Sequence, residues 1–207
     1  MPLLKRESDI FPEQLFDRSI EELPWWVAHL RSRHEKMAAR EARLLGIASF
    51  LPQYEKSIRR QNRTRTAFLP LFSGYLFFRG DLGARAEMVM TNLCVRILEV
   101  KDQAGLDSDL RQIRHLQLAG VPIVSHPAPE FKEGNTVRII DGPFRDITGQ
   151  IVKERGETRL VVSVRFINRF VSVELPRESV VSEAARWVHA PPALARAAFL
   201  TCSPLTQ

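Results

Sequence analysis

The sequence predicts an α+β front domain joined to a small all-β barrel. Between residues 25 and 120, β-type segments and amphipathic helices follow one another in the order β-α-β-β-α-β-α, typical of helices packed on one antiparallel sheet. A proline-rich stretch follows, and residues 131–182 then carry closely spaced β segments. A sheet that small needs closure to protect its edges, so we expect a barrel.

Composition sets outer limits on the function. The chain has 207 residues, of which 44% are hydrophobic and 26% charged, the balance of a folded protein. A net charge of +6 permits binding to nucleic acid or to an acidic partner, but shows neither. Cys94 and Cys202 lie too far apart for a metal-binding spacing, so we predict reduced thiols and no cofactor.

Neither a membrane span nor a signal peptide is predicted. The most apolar stretch, residues 67–78, is about 12 residues long, whereas a membrane helix needs about 20. Residues 1–23 hold three basic and six acidic residues and lack the apolar core of a signal peptide. We therefore expect a cytoplasmic protein with no membrane contact.

The front half begins with an acidic arm, residues 1–24, which is either disordered or a short docking helix. Residues 25–30 form a compact apolar run that suits a strand. Residues 33–45 have helical apolar spacing and are followed by Gly46, a residue suited to end a helix. The remaining predicted elements are strands at 49–55, 68–79 and 95–100 and helices at 84–92 and 107–119, the last with an apolar side of Leu110, Ile113, Leu116 and Leu118.

Three prolines mark residues 121–130 as a linker, because proline resists both helix and sheet pairing. Apolar and polar side chains alternate over residues 160–167, which predicts a strand with one buried face. Further strands are predicted at 136–140, 149–154 and 170–175. The last residues, 183–207, form an alanine-rich tail with helix potential.

An Asp-Gly-Pro turn lies between two of these β segments, at residues 141–143, and Gly149 closes the loop. Glycine adopts backbone angles that other residues avoid, and proline fixes the chain direction at a turn. Together with the preceding residues 131–139, this loop resembles the KOW module found in transcription elongation factors and in ribosomal proteins.

Two upstream signals make the resemblance more specific. Residues 68–78 (FLPLFSGYLFF) are similar to the aromatic strand of the NGN domain, and Trp25-Trp26-Val27 is similar to its opening strand. In this order, the three signals resemble the NusG/RfaH family of transcription elongation and antitermination factors. The resemblance implies an arm (1–24), an NGN-like domain (25–120), a linker (121–130), an SH3-like KOW barrel (131–182) and a tail (183–207).

Gly74 separates two aromatic residues of the NGN-like strand, so a partner could approach the backbone closely there. The resemblance implies that this region grips the clamp helices of the largest RNA polymerase subunit. The residues implied in RNA polymerase binding are Trp26, Phe72, Gly74 and Tyr75. The alternative is that Phe72, Tyr75 and the neighbouring phenylalanines simply fill the core.

Residues 56–65 carry five basic side chains and no acidic one. They predict an exposed loop or hairpin tip, which is either merely solvated or contacts phosphates of upstream or non-template DNA. No aromatic residue is present for base stacking, so sequence reading is not predicted. The candidate nucleic-acid-binding residues are Lys56, Arg59, Arg60, Arg63 and Arg65.

In the KOW-like part, the resemblance implies a second partner, either a small-subunit ribosomal protein or the termination factor Rho. Its candidate contact residues are Phe144, Ile147, Phe166, Ile167 and Arg169. Alternatively, Phe144 and Phe166 fill the barrel. Ser73, Asn168 and Phe170 depart from the family pattern, which favours a specialised paralog over the housekeeping factor.

Enzymatic function is not predicted. The histidines are scattered, and the sequence has no nucleophile elbow, phosphate-binding glycine loop or dinucleotide fingerprint. We interpret the chain as a monomeric elongation and antitermination factor whose KOW barrel hangs on a flexible tether. The alternatives are a KOW-containing RNA-binding or ribosome-associated protein and a structural interaction module.

Overall fold

The computed structural model describes residues 7–60, 63–120, 123–126, 136–139, 145, 147–154, 157–167, 169–174 and 180–182. The elements of the front half are β1 (Ile10–Phe11), β2 (Trp25–Leu30), α1 (Glu35–Leu44), β3 (Ala48–Phe50), β4 (Gln53–Arg60), β5 (Arg63–Pro70), β6 (Tyr75–Arg79), α2 (Leu82–Met90), β7 (Cys94–Glu99) and α3 (Gln103–Leu118). Those of the back half are β8 (Ile123–His126), β9 (Thr136–Ile139), β10 (Thr148–Glu154), β11 (Glu157–Val164), β12 (Arg169–Glu174) and β13 (Val180–Ser182).

An antiparallel sheet with the strand order β1-β3-β6-β2-β7 organises the front half. One face buries Leu76 and Phe78 in the same apolar cluster as residues of α1 and α2. The other face buries Val27 and Phe77 together with Leu110 of α3. Burying both faces of the sheet under helices supplies the hydrophobic core. The predicted α+β class is confirmed.

The helices lie close to their predicted positions. Gly46 has φ +72°, which only glycine adopts readily, and it follows the last turn of α1 as predicted. Helix α3 begins four residues earlier than predicted, because the Asp102 side chain accepts the Gly105 N–H at 2.9 Å and caps the helix there. The prediction that Leu118 lies on the apolar side of α3 is wrong, because Leu118 is 68% exposed.

The N-terminal arm packs on the front domain as an extended strap. Strand β1 pairs with β3 and extends the sheet, while Leu15 and Phe16 are buried in the core beside Trp25. Arg40 of α1 binds the Glu7 carboxylate at 2.5 Å, and this hydrogen bond lowers the pKa of Glu7. Neither predicted alternative, disorder or a short docking helix, describes residues 7–24.

The basic segment predicted as a loop or hairpin tip is most of a long β-hairpin. Strands β4 and β5 pair without interruption from Gln53↔Pro70 to Arg60↔Arg63. Lys56 is exposed on this hairpin. The side chains of residues 58–65 lie outside the described ones, so their positions come from the strand register alone.

The back half forms a second antiparallel sheet with the order β13-β9-β10-β11-β12-β8. Strand β8 lies inside the stretch predicted as a linker, and its residue Ile123 pairs with Val173 of β12. Four residues between Pro122 and Pro127 suffice for an outermost strand, which needs a partner on one side only. Closure of this sheet into a barrel remains a prediction.

The second sheet contacts the front half through α3. The Gln112 side chain accepts the Thr148 N–H at 3.0 Å, and Ile113 shares an apolar cluster with Val162. The flexible tether predicted between the two halves remains a prediction. Within the described residues, no helix has the length and apolar character needed to cross a bilayer.

Candidate functional site

A glycine turn starts the aromatic strand β6. The Tyr75 N–H donates to the Phe72 carbonyl at 3.2 Å, and Gly74 between them has φ +82°. This is the value that a type II turn requires at its third residue. A Cβ at Gly74 would meet nothing closer than 3.9 Å, so backbone strain, not lack of space, opposes a side chain there.

Tyr75 belongs to a row of side chains that crosses the sheet. Tyr75 of β6 pairs with His29 of β2, and His29 pairs with Arg96 of β7. Paired residues of antiparallel strands point to the same face. The Tyr75 and His29 rings lie 5.4 Å apart; both side chains are half-buried, and Arg96 is exposed. We call Tyr75, His29 and Arg96 the Tyr75 row.

The Tyr75 row lies at the rim of the core on the α3 face of the sheet. On these same strands, the next row on this face consists of Phe77, Val27 and Leu98. Phe77 and Val27 are fully buried, whereas Leu98 and Tyr75 are partly buried against the same cluster. The rim therefore combines partly open apolar surface with a phenol, an imidazole and a guanidinium. This is the mixture typical of a protein-binding surface.

The structure brings together only part of the predicted polymerase-binding set. Gly74 and Tyr75 are adjacent at the rim, but Phe72 is 2% exposed and packs edge-on against Phe77 in the core. Trp26 lies on the opposite face of the sheet, where its indole N–H donates to the Gly80 carbonyl at 2.9 Å. Because successive residues of a strand alternate between faces, Trp26 and its neighbour three positions on, His29, point in opposite directions.

Sequence reasoning missed His29 and Arg96. His29 is the one polar residue of β2, Arg96 is one of two charged residues in β7, and neither carries a local motif. Only the register of β2 against β6 and β7 places them beside Tyr75. Alternation along β2 was the available signal, but it could not identify the partner strands.

The register of the basic hairpin divides its positions between two faces. Arg60↔Arg63 and Ile58↔Arg65 are paired positions of one face, which also holds the Lys56 position. The Arg59 position belongs to the other face. Four of the five predicted basic positions thus share a face by register, which would let one phosphate backbone contact them together.

The residues predicted to contact a second partner in the back half are divided between surface and interior. Ile147 and Ile167 are 1% and 8% exposed and belong to the core cluster. Phe166 is 36% exposed and Arg169 is half-buried, so these two can be reached by a partner. Phe144 lies outside the described residues.

The described residues offer little for catalysis. The Cys94 thiol donates to the Met88 carbonyl at 3.5 Å, and burial raises the pKa of this thiol although a hydrogen bond with Thr91 opposes the shift. A thiol with a raised pKa is a weak nucleophile at neutral pH. Among the residues described, no three histidine, cysteine or acidic side chains group to hold a metal ion.

A cleft of about 360 Å³ lies between the arm, α3 and the start of β10, and no residue of the Tyr75 row lines it. Its charged side chains are already engaged, since the Asp107 carboxylate accepts from Arg111 at 2.5 Å. The residues that line it are Ile20, Ala104, Asp107, Ser108, Arg111, Gln112, His115 and Ile147. The Tyr75 row is the better candidate for a binding surface.

A known family model matches the part of the chain that carries these features. Residues 23–107 match the family model described as "Transcription termination factor nusG". The chain is 32% identical over 127 residues to the transcription termination/antitermination protein NusG of Thermus thermophilus. That alignment covers 54% of this chain and 66% of the relative, just under two thirds of its length.

A solved structure described as "Domain interaction in Thermotoga maritima NusG" is also similar. It covers 80% of this chain and 99% of that chain, with a TM-score of 0.45 and 20% sequence identity. The matched range 23–107 contains the glycine turn and the whole Tyr75 row. Over residues 23–107 the chain is thus similar to the NusG family.

Proposed function

We propose that this protein is a transcription elongation and antitermination factor that binds RNA polymerase through the Tyr75 row. The observation that carries the proposal is the position of this row: it lies at the open rim of the core, beside Gly74, inside the region that matches the NusG family. The proposed contact is with the clamp helices of the largest polymerase subunit. Binding there would favour processive elongation without any chemical step by this protein.

The chemistry of the row supports a protein partner. A half-buried tyrosine provides a large contact area at a small entropic cost, and aromatic residues and arginine dominate the binding energy of many interfaces. Leu98 adds apolar surface beside them. Of the residues first predicted for this role, we keep Gly74 and Tyr75, add His29 and Arg96, and assign Phe72 to the core.

The proposal is tested by binding of the full chain to purified core RNA polymerase. We expect Tyr75→Asp to weaken binding by about 30-fold or more, because a charge would replace an interface anchor. Phe166→Asp is the matched control, since Phe166 is an exposed aromatic residue of the back half, in the 3-10 turn between β11 and β12. Circular dichroism and thermal unfolding should show that both variants remain folded.

Equal binding by wild type and Tyr75→Asp would contradict this placement of the polymerase contact. If the wild-type chain binds ribosomal RNA and no polymerase, the KOW-type RNA-binding alternative is correct instead. In vitro transcription with and without Rho then separates antitermination from assistance to termination.

For the basic hairpin we propose a contact with upstream or non-template DNA. The double variant Arg60→Gln/Arg63→Gln should reduce the slope of log affinity against log salt concentration by about 2, because each neutralised phosphate contributes close to one unit. Arg31→Gln/Arg33→Gln removes the same charge at exposed positions outside the hairpin and should leave the slope unchanged. DNA binding measured at several salt concentrations decides this, and equal slopes in both double variants would refute the contact.

We propose that the second sheet recruits a further partner, either a small-subunit ribosomal protein or Rho. Phe166 and Arg169 support this, since a partner can reach both at the connection of β11 and β12, whereas Ile147 and Ile167 are enclosed. The KOW barrel, its flexible tether, the monomeric state, the cytoplasmic location and the role as a specialised paralog all belong to this proposal.

A further inference from the structure

Glu35 is a buried carboxylate far from the glycine turn in sequence but in contact with it. It is the first residue of α1 and only 7% exposed. Its Oε1 accepts the Gly74 N–H at 2.7 Å, across 39 residues of sequence. Because a buried carboxylate without partners is costly, this hydrogen bond offsets a penalty that an exposed glutamate would not carry.

The contact with Glu35 holds the Gly74 N–H, a group that the hydrogen bond closing the turn leaves free. The turn is closed by the Tyr75 N–H and the Phe72 carbonyl, which does not involve the Gly74 N–H. On the other side of the glycine, the Gly74 carbonyl accepts the Leu30 N–H at 2.8 Å. Glu35 and Leu30 together fix both polar groups of Gly74, the residue with the greatest backbone freedom in the turn.

The restraint acts directly on the Tyr75 row. Tyr75 follows Gly74 in the chain, and His29 precedes Leu30. The Tyr75 and His29 rings lie 5.4 Å apart, and the backbone segments that carry them are therefore the two segments that meet at Gly74. A rotation of the glycine peptide would change the direction in which the Tyr75 ring leaves the strand.

We infer that Glu35 is a positioning residue for the polymerase-binding surface: it fixes the Gly74 peptide and thereby aims Tyr75. The inference rests on the proposed function of the Tyr75 row. Glu35 does not itself contact the partner, because it is enclosed within the fold. Its effect on binding passes through the glycine turn.

The test compares three variants of the full chain. Glu35→Gln keeps a carbonyl oxygen at the same reach, whereas Glu35→Ala removes the acceptor and Glu35→Asp shortens the side chain by one methylene. We expect Ala and Asp to weaken binding to core polymerase by about tenfold and Gln by no more than about threefold. Hydrogen exchange of the Gly74 amide should speed up in Ala and Asp but not in Gln.

The rescue by glutamine distinguishes positioning from a general loss of stability. If Glu35→Ala does not fold, the comparison of Asp with Gln still decides, because both retain a polar side chain at the start of α1. Wild-type affinity in a variant with fast Gly74 exchange would overturn the inference and leave the proposed function intact. Failure of the wild-type chain to bind polymerase would overturn both.

Discussion

Replacement of Arg79 by methionine should lower the free energy of unfolding by about 3–5 kcal/mol, one of the largest effects available to a single substitution here. Arg79 is 1% exposed, and its guanidinium lies 5.2 Å from the Trp25 ring. Its N–H groups donate to backbone carbonyls of the N-terminal arm at 2.5–3.0 Å. The acceptors are Leu15, Arg18, Ser19 and Leu23.

The size of this effect follows from the loss of the guanidinium N–H donors, which methionine cannot replace. It fills a similar volume but leaves carbonyl groups of the strap without donors, and burying unpaired polar groups is costly. Burial also lowers the pKa of Arg79, which reflects the cost of holding the charge in the interior. The arm would lose the side chain that fastens it to β6.

Urea unfolding followed by tryptophan fluorescence measures the effect. The matched control is Arg85→Met, because Arg85 is half-buried and lies over the Trp26 ring at 5.5 Å. Such a contact contributes only about 0.5–1 kcal/mol. If Arg79→Met lowered the free energy of unfolding no more than this control does, the hydrogen bonds from Arg79 to the backbone carbonyls would not be what holds the arm.

Asp107→Ala should cost about 2–4 kcal/mol, because it breaks a buried network joining α3, β2 and the arm. The Asp107 carboxylate is 9% exposed and accepts the Trp25 indole N–H at 2.9 Å and the Arg111 Nε–H at 2.5 Å. Arg111 in turn donates to the Phe16 carbonyl. Alanine would leave the indole N–H unpaired and release Arg111.

Asp107→Asn is the matched control. It keeps an oxygen for Trp25 but removes the charge that holds Arg111, so its cost should be about half or less of the alanine value. Thermal unfolding gives the free energies, and near-ultraviolet circular dichroism reports the packing of Trp25. Equal costs for both variants would show that the charge, and not the indole hydrogen bond, carries the stabilisation.

The sequence predicted best where the signal is local. Gly46 after α1 occupies a backbone conformation that favours glycine, as its position indicated. Amphipathic spacing located α1 and α3 to within a few residues, except at the start of α3. There the Asp102 cap set the boundary, and the apolar spacing alone did not reveal it.

Long-range contacts explain what was missed. The hairpin of β4 and β5 depends on pairing between strands that are individually too polar to predict. The arm depends on Arg79, a residue 56 or more positions away from the carbonyls it binds. Strand β8 is too short to predict between two prolines without its partner β12.

The sequence by itself determined the α+β class and the helices, because propensity and apolar period act over a few residues. Only the tertiary structure decided that Phe72 is core, that Trp26 faces the other way and that His29, Arg96 and Glu35 meet around the turn. Strand register decided the faces of Trp26, His29 and Arg96, because it fixes which distant residues share a face, and a shift of one residue would move each side chain to the opposite face.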